Sequence, residues 1–303
     1  MSIGLTQRVT QRTLNDKVSR NLQRNVSSLG RIQDQLSSGK QISKPSDSPT
    51  GTVSALELRA DIRRADQYRR NADDGQGWLG TADSTLTQAL DSVRRIRELA
   101  LEGANSSTSP TDRAAMAAEV TQLRDGLLQM ANTTYLNQPI FGGTATATQP
   151  FDAAGNYVGD TGTINRTVGT NMSVQVNLPG SSVFGSGATG LFGVIDTIVS
   201  DLTNNPTALT DPTAAPNDVG NLDSAFLNLQ NSLAVVGARY NQIEALGTKA
   251  DDAKLDATNR LSEVESIDLP HTIMELQLQQ VAYQASLGAA ARVLQPSLVD
   301  FLK

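Results

Sequence analysis

Both ends of this 303-residue chain carry apolar residues at helical spacing, and that pairing limits the fold more than any other feature. Near the start, Leu14, Val18, Leu22, Val26, Leu29, Ile32 and Leu36 recur every three or four residues. Near the finish, Ile273, Leu276, Tyr283, Leu287, Ala290, Leu294, Leu298 and Phe301 do the same. Steps of three and four place side chains on one stripe of a helix, and a sustained stripe is a coiled-coil seam. Terminal segments fray unless something holds them. Two such segments therefore predict helices that pair with each other, in a protein built to assemble.

Composition narrows the function classes. Aromatic residues make up only 4% of the chain, which favours elongated helical packing over one large spherical core. The absence of cysteine excludes disulfides, thiolate metal ligands and a thiol nucleophile. His271 is the one histidine and sits just after Pro270, where it reads as a polar residue in the first turn of the last helix. Without a second histidine, zinc sites and histidine-based triads lack their usual parts. Asp73/Asp74 and Asp251/Asp252 are consecutive, point to different sides of a helix, and read as solvated charge. Gly142-Gly143 and Gly185-x-Gly187 lack the Lys-Ser/Thr of a phosphate loop. No enzyme, metal site or cofactor is expected.

The net charge of −6 conceals an asymmetry. Residues 1–70 hold 13 Lys/Arg against 6 Asp/Glu, and the remainder holds 12 against 25. Opposite charges of this kind are expected to attract across the terminal helix pair. Nucleic acid is not an expected partner, since no aromatic for base stacking occurs in the first 67 residues. The first 40 residues are Arg-rich and acid-poor like a transit peptide, but their stripe runs into Leu36 and stops at Ser38-Gly39, as a structural helix with a glycine cap does. No cleaved secretory signal and no membrane span are expected.

Between the ends, Ser48-Pro49 reads as an N-cap followed by proline in the first turn. A helix then runs to about Gly103, with an expected irregularity over Asp73–Gly77. Ser109-Pro110-Thr111-Asp112 restarts a helix with a capping pattern. Residues 221–265 hold the strongest periodicity, and Gly247 and Lys254 occupy two places of its apolar stripe. A helix of that length spans roughly 65 Å at 1.5 Å per residue. The segment 137–190 is rich in Gly, Thr and Asn, alternates over Met172–Leu178 and turns at Pro179-Gly180, which predicts short strands. Gly190–Asn204 reads as a short helix. The expected fold is mainly α with an inserted β domain. Coiled-coil helices pair over 1–45 and 268–303, an elongated helical-bundle rod covers 46–136 and 220–267, and a small β-rich domain covers 137–219.

Several separated elements are similar to the flagellin superfamily, and within it to the hook-associated proteins of the hook–filament junction. They are Leu36-Ser37-Ser38-Gly39, Lys44-Pro45-Ser46-Asp47-Ser48-Pro49, Tyr68-Arg69-Arg70-Asn71-Ala72-Asp73-Asp74, Trp78-Leu79 and Arg97-Glu98-Leu99-Ala100. Pro139-Ile140-Phe141-Gly142-Gly143 and Val264-Glu265-Ser266-Ile267-Asp268 complete the set. The Pro-Ser-Asp-x-Pro and Pro-Ile-Phe-Gly-Gly elements favour the junction proteins over filament flagellin. Leu269-Pro270-His271 departs from the family, which usually has small or acidic residues there.

The resemblance implies a structural adaptor joining hook to filament, with a minor filament-forming flagellin as the alternative. It implies export through the flagellar type III apparatus without signal cleavage, and an extracellular place on the flagellum. The implied partners are further copies of the chain, a neighbouring hook-associated protein, flagellin, and an export chaperone on the last helix through Leu287, Leu294, Leu298 and Phe301. Membrane insertion is not implied. The candidate assembly residues are Leu14, Val18, Leu22, Val26, Leu29, Ile32 and Leu36 with Ile273, Leu276, Leu287, Leu294, Leu298 and Phe301.

Overall fold

The computed structural model describes residues 11–145, 149–211 and 217–294. Its helices are α1 (Gln11–Ser38), α2 (Pro49–Gly103), α3 (Pro110–Ala131), α4 (Gly180–Val183), α5 (Leu191–Asn204), α6 (Asp218–Glu265) and α7 (Leu269–Leu294). Its strands are β1 (Thr134–Tyr135), β2 (Gln138–Pro139), β3 (Asn165–Gly169) and β4 (Met172–Gln175). The chain divides into two compact units, 1–62 with 255–303 and 63–254, and the divisions fall inside α2 and α6.

The expected helix ends are in place. Gly39 closes α1 at φ +68°, a left-handed conformation that glycine adopts without cost. Ser48 caps α2, its Oγ accepting the Gly51 amide at 3.1 Å. Ser109 caps α3 reciprocally: its Oγ accepts the Asp112 amide at 3.2 Å and donates to Asp112 Oδ2 at 2.7 Å.

The expected irregularity over Asp73–Gly77 is absent, and α2 is continuous there. The glycines serve packing instead. A Cβ on Gly75 would overlap Ile243 of α6, and one on Gly77 would overlap the Tyr135 ring. Gly247 on α6 similarly faces Ala72 and Arg69. Small residues on both helices thus let α2, α6 and the β1–β2 hairpin approach closely.

In the unit 63–254 one stripe of α2, including Leu79, Leu86, Val93 and Ile96, is fully buried together with Leu222, Leu229, Val236 and Ile243 of α6. α3 and α5 extend the same core through Val120, Leu127, Ile195 and Ile198. Burial of this kind contributes roughly 25 cal/mol per Å² of apolar surface removed from water. Trp78, only 2% exposed, meets Tyr135 edge-on at 6.0 Å.

The β portion is two antiparallel hairpins, β1–β2 and β3–β4. Leu136 and Asn137 turn the first at positive φ. β4 ends at Gln175, short of the alternation read to Leu178, because Val176, Asn177 and Leu178 turn into the core. Buried Asn177 donates to the carbonyls of Gly143 and Gly162 and accepts the Ile164 amide. Pro179-Gly180 leads into α4. Phe141, Phe151, Tyr157, Phe184 and Phe192 cluster beneath, at ring separations of 5.2–6.1 Å.

Two predictions follow from this packing. Gly77→Ala gains helix propensity of about 1 kcal/mol, but the ring collision outweighs it, so thermal unfolding should occur at lower temperature. Asp218, at the start of α6, has its carboxyl raised to about 6 by burial and by the neighbouring Asp201 carboxyl. The folded chain therefore holds a proton in a window where the ordinary value of 3.8 would release it. Stability should fall as pH rises from about 4 to about 6, and Asp218→Asn should flatten that part of the curve in urea titrations.

Candidate assembly interface

The unit 1–62 with 255–303 is built on the packing of α1 against α7. On α1 the less exposed positions are Val18, Leu22, Asn25, Leu29, Ile32 and Leu36. On α7 they are Thr272, Leu276, Gln279, Tyr283, Ser286 and Ala290. Both series step four, three, four, three, four, the spacing of a two-stranded seam.

The observed seam differs from the one read from apolar spacing. Val26 is 52% exposed, Ile273 39% and Leu287 44%, while their polar neighbours Asn25, Thr272 and Ser286 take the inward places. Asn25 Nδ2 donates to Ser286 Oγ at 2.9 Å, and Gln279 Nε2 reaches the Asn25 carbonyl at 3.4 Å. These polar contacts explain the offset: a search for apolar repeats passes over them. Val18, Leu22, Leu29, Ile32, Leu36 and Leu276 lie where expected. The side chains of Leu14 and Leu294, with Leu298 and Phe301, lie outside the described residues.

Where the two helices meet the rest of their unit, Glu265 at the end of α6 joins the Lys40–Gln41 segment and α2. Its carboxylate lies 3.1 Å from Lys40 Nζ and 2.6 Å from Arg59 Nη2, with the glutamate side chain 8% exposed. Its carbonyl accepts the Gln41 amide at 2.6 Å, and the Gly39 carbonyl accepts the Ile267 amide at 3.2 Å. These bonds form an antiparallel bridge between Lys40 and Ser266. Burial pushes the carboxyl upward, but hydrogen bonds and charge from Lys40 and Arg59 outweigh it and hold the group below its ordinary value of 4.5.

The 41–48 loop is organised by Asp47, whose Oδ2 accepts the Ser43 and Lys44 amides at 3.1 and 2.8 Å. Those amides, Lys44 first, hold its carboxyl below the usual range. Asp268 Oδ1 accepts the His271 amide at 3.2 Å and caps α7, with exposed His271 in its first turn as expected.

Charge pairing does not follow the expected route across the terminal helices. α7 carries Glu275 and Arg292 but little other charge, and no ion pair is formed between α1 and α7 among the described residues. The basic surplus of the first 70 residues is met on α6 instead, by Lys40 and Arg59 on Glu265 and by Arg69 on Asp251 at 3.1 Å. Asp73 and Asp74 are likewise paired, with Arg69 at 2.9 Å and Arg166 at 2.6 Å, as well as half-exposed. Asn71 donates to the Thr167 carbonyl at 2.7 Å. The Tyr68–Asp74 element therefore ties α2 to α6 and to the β3–β4 hairpin. Gly143, at φ +72°, lies so close to Asp160 that a Cβ would overlap it, which accounts for the double glycine after Phe141.

The two units differ sharply in core. Only Ile32, Ala55, Ala257 and Ala290 are buried apolar residues in the unit 1–62 with 255–303, among the described residues. The same unit supplies ten of the sixteen large apolar residues that are exposed. Six of the ten lie on α7, where Met274, Leu278 and Val281 are 57%, 72% and 64% exposed and, with Ala285, form a second stripe at heptad spacing. No group of side chains suited to holding a metal ion occurs among the described residues, and no helix there is long and apolar enough to cross a membrane.

The sequence model of the bacterial flagellin N-terminal helical region matches residues 9–146. Flagellar hook-associated protein 3 of Escherichia coli is 29% identical over 279 residues, covering 84% of this chain and 87% of that protein. In both comparisons the chain is similar to the flagellin superfamily. A flagellin of Halalkalibacterium halodurans is 25% identical over 279 residues, covering 90% of each. In fold, the chain is similar to flagellar hook-associated protein 3 of Legionella pneumophila: TM-score 0.62 at 17% identity, covering 69% of this chain and 98% of that one. The superfamily is one of structural proteins of the bacterial flagellum, which assemble with other flagellar components.

Removing the glutamate charge tests the junction directly. Glu265→Gln should lower stability by about 2 kcal/mol, the cost of leaving a hydrogen-bonded buried ion pair half-made. Because the native pKa is depressed, the contribution of Glu265 is present above pH 4.5 and lost as pH falls through the lower folded value. The stability gap between variant and native chain should therefore close in acid, as read by circular dichroism.

Proposed function

We propose that this chain is a hook-associated protein 3, a structural adaptor that joins the flagellar hook to the flagellin filament by assembling through its terminal helices. The observation that carries the proposal is the two-sided character of α7. One face closes on α1, and a second apolar stripe (Met274, Leu278, Val281) is left in solvent on a unit with almost no core of its own. Large apolar patches on an otherwise thin unit mark surfaces that other chains cover. The relation to hook-associated protein 3, extending over most of both chains, supplies the flagellar setting.

On this reading residues 1–45 with 268–303 form the assembly element. Residues 46–136 with 220–267 form a helical rod, and 137–219 a β-rich inserted domain. Copies of the chain pack beside one another, a neighbouring hook-associated protein lies on one side, and flagellin lies on the other. The chain performs no catalysis. It reaches the cell exterior through the flagellar export apparatus, with an export chaperone holding the apolar side of the last helix, including Leu287. The terminal pair gains most of its order from neighbours, since an isolated amphipathic helix is marginal in water.

A second reading, a minor filament flagellin, has one observation in its favour: the flagellin match spans as much of the chain as the hook-associated match. Immunogold microscopy of intact flagella with antibody against residues 145–220 separates the two. Label confined to the zone between hook and filament is expected, and label along the filament would make the chain a flagellin. Leu278→Asp/Val281→Asp should leave the thermal unfolding of the unit 63–254 unchanged and abolish incorporation into flagella. Incorporation at the native level would remove the second stripe from the interface.

A further inference from the structure

We propose that Asn25, Gln279 and Ser286 form a polar layer that makes α1 select α7 as its seam partner over a second α1 or a second α7. The inference rests on the reading of the terminal helices as the assembly element and names what governs their pairing.

The seam positions of α7 alternate in character. Leu276, Tyr283 and Ala290 are apolar, whereas Thr272, Gln279 and Ser286 recur at seven-residue intervals and are polar. α1 has one polar seam position, Asn25, with Val18, Leu22, Leu29, Ile32 and Leu36 around it. The two polar series converge: Asn25 Nδ2 reaches Ser286 Oγ at 2.9 Å, and Gln279 Nε2 approaches the Asn25 carbonyl and Oδ1 at 3.4 and 3.5 Å. Every one of these groups is only partly exposed.

Alternative partners leave these groups unmatched. An α1 paired antiparallel with another α1 at full seam overlap sets the Asn25 amide opposite Leu29. An α7 paired with another α7 in the same way sets Thr272, Gln279 and Ser286 opposite Ala290, Tyr283 and Leu276. An unmet amide in a seam costs more than its bonds contribute when made, so one polar position discriminates among partners and registers.

Charge cannot substitute for the layer on α7, which carries only Glu275 and Arg292 as charged residues. A helix with two apolar stripes and almost no charge is prone to self-association, and the polar series is what its seam offers against that. α1 adds a weaker barrier of its own, since Lys17, Arg20, Arg24 and Arg31 outnumber Asp16 and Asp34 over its described length.

Because the chain has no cysteine, introduced thiols report pairing without background. The test uses the full-length chain carrying Ile32→Cys and Leu276→Cys, oxidised at several concentrations and resolved on a non-reducing gel. Disulfide formation traps even a minor paired population, so the readout does not depend on the ends being ordered in the free chain.

With Asn25 present, the intrachain disulfide should dominate. Adding Asn25→Leu should raise the interchain fraction about tenfold, the change expected from losing one amide's discrimination. Ser286→Leu, which removes the partner while keeping Asn25, should also raise it. An interchain fraction unchanged by both substitutions overturns the proposal while leaving the α1–α7 pairing intact. Absence of the intrachain disulfide in the parent pair would instead refute the pairing on which it rests, and the proposal with it.

Discussion

The terminal unit depends on Glu265. A carboxylate with 8% side-chain exposure requires cations, and the fold brings two, Lys40 from just beyond α1 and Arg59 from α2. The same residue's carbonyl receives the Gln41 amide, so one position joins the segment after α1, α2 and the end of α6. Burying an ion pair contributes little net stability in general, because desolvation offsets the attraction. Its effect here is one of specificity. Other arrangements of these three segments leave the charge uncompensated in a part of the molecule with almost no hydrophobic core to offset the loss.

That thin core is what separates the two units physically. The unit 63–254 buries tryptophan, a cluster of four phenylalanine rings, and long stripes of leucine and isoleucine. The unit 1–62 with 255–303 buries one isoleucine and three alanines, among the described residues, and leaves six large apolar side chains of α7 in solvent. A chain arranged in this way places its hydrophobic core in one unit and most of its exposed large apolar side chains in the other.

Much of this was legible in the residues alone. The caps at Ser48 and Ser109, the glycine stop at Gly39, and the long periodic helix ending at Glu265 all follow from local rules, because each involves residues within a turn of one another. The seam was legible only in part. Leu22, Leu29, Ile32 and Leu276 declare themselves by being apolar, but Asn25, Thr272 and Ser286 do not, and Val26, Ile273 and Leu287 stand at plausible spacing one residue away. A shift of one residue turns a side chain by 100°, and only contact between two helices decides which edge of a broad apolar stripe faces inward. The glycines at 75 and 77 mislead for a related reason. Glycine signals a break when read locally, whereas here the missing Cβ makes room for Ile243 and Tyr135.

The sequence by itself determined the helices, their caps, the absence of thiol chemistry and the pairing of the two ends, because periodicity, capping and composition act over short range or over the whole chain at once. Tertiary structure alone decided which charges meet and which stripe of α7 is left open. It turned Asp73, Asp74 and Asp251 from free surface charge into ties between elements, and it moved the electrostatic match from the terminal helices to α6. Those outcomes depend on distances between residues far apart in the chain, and no local rule carries that information.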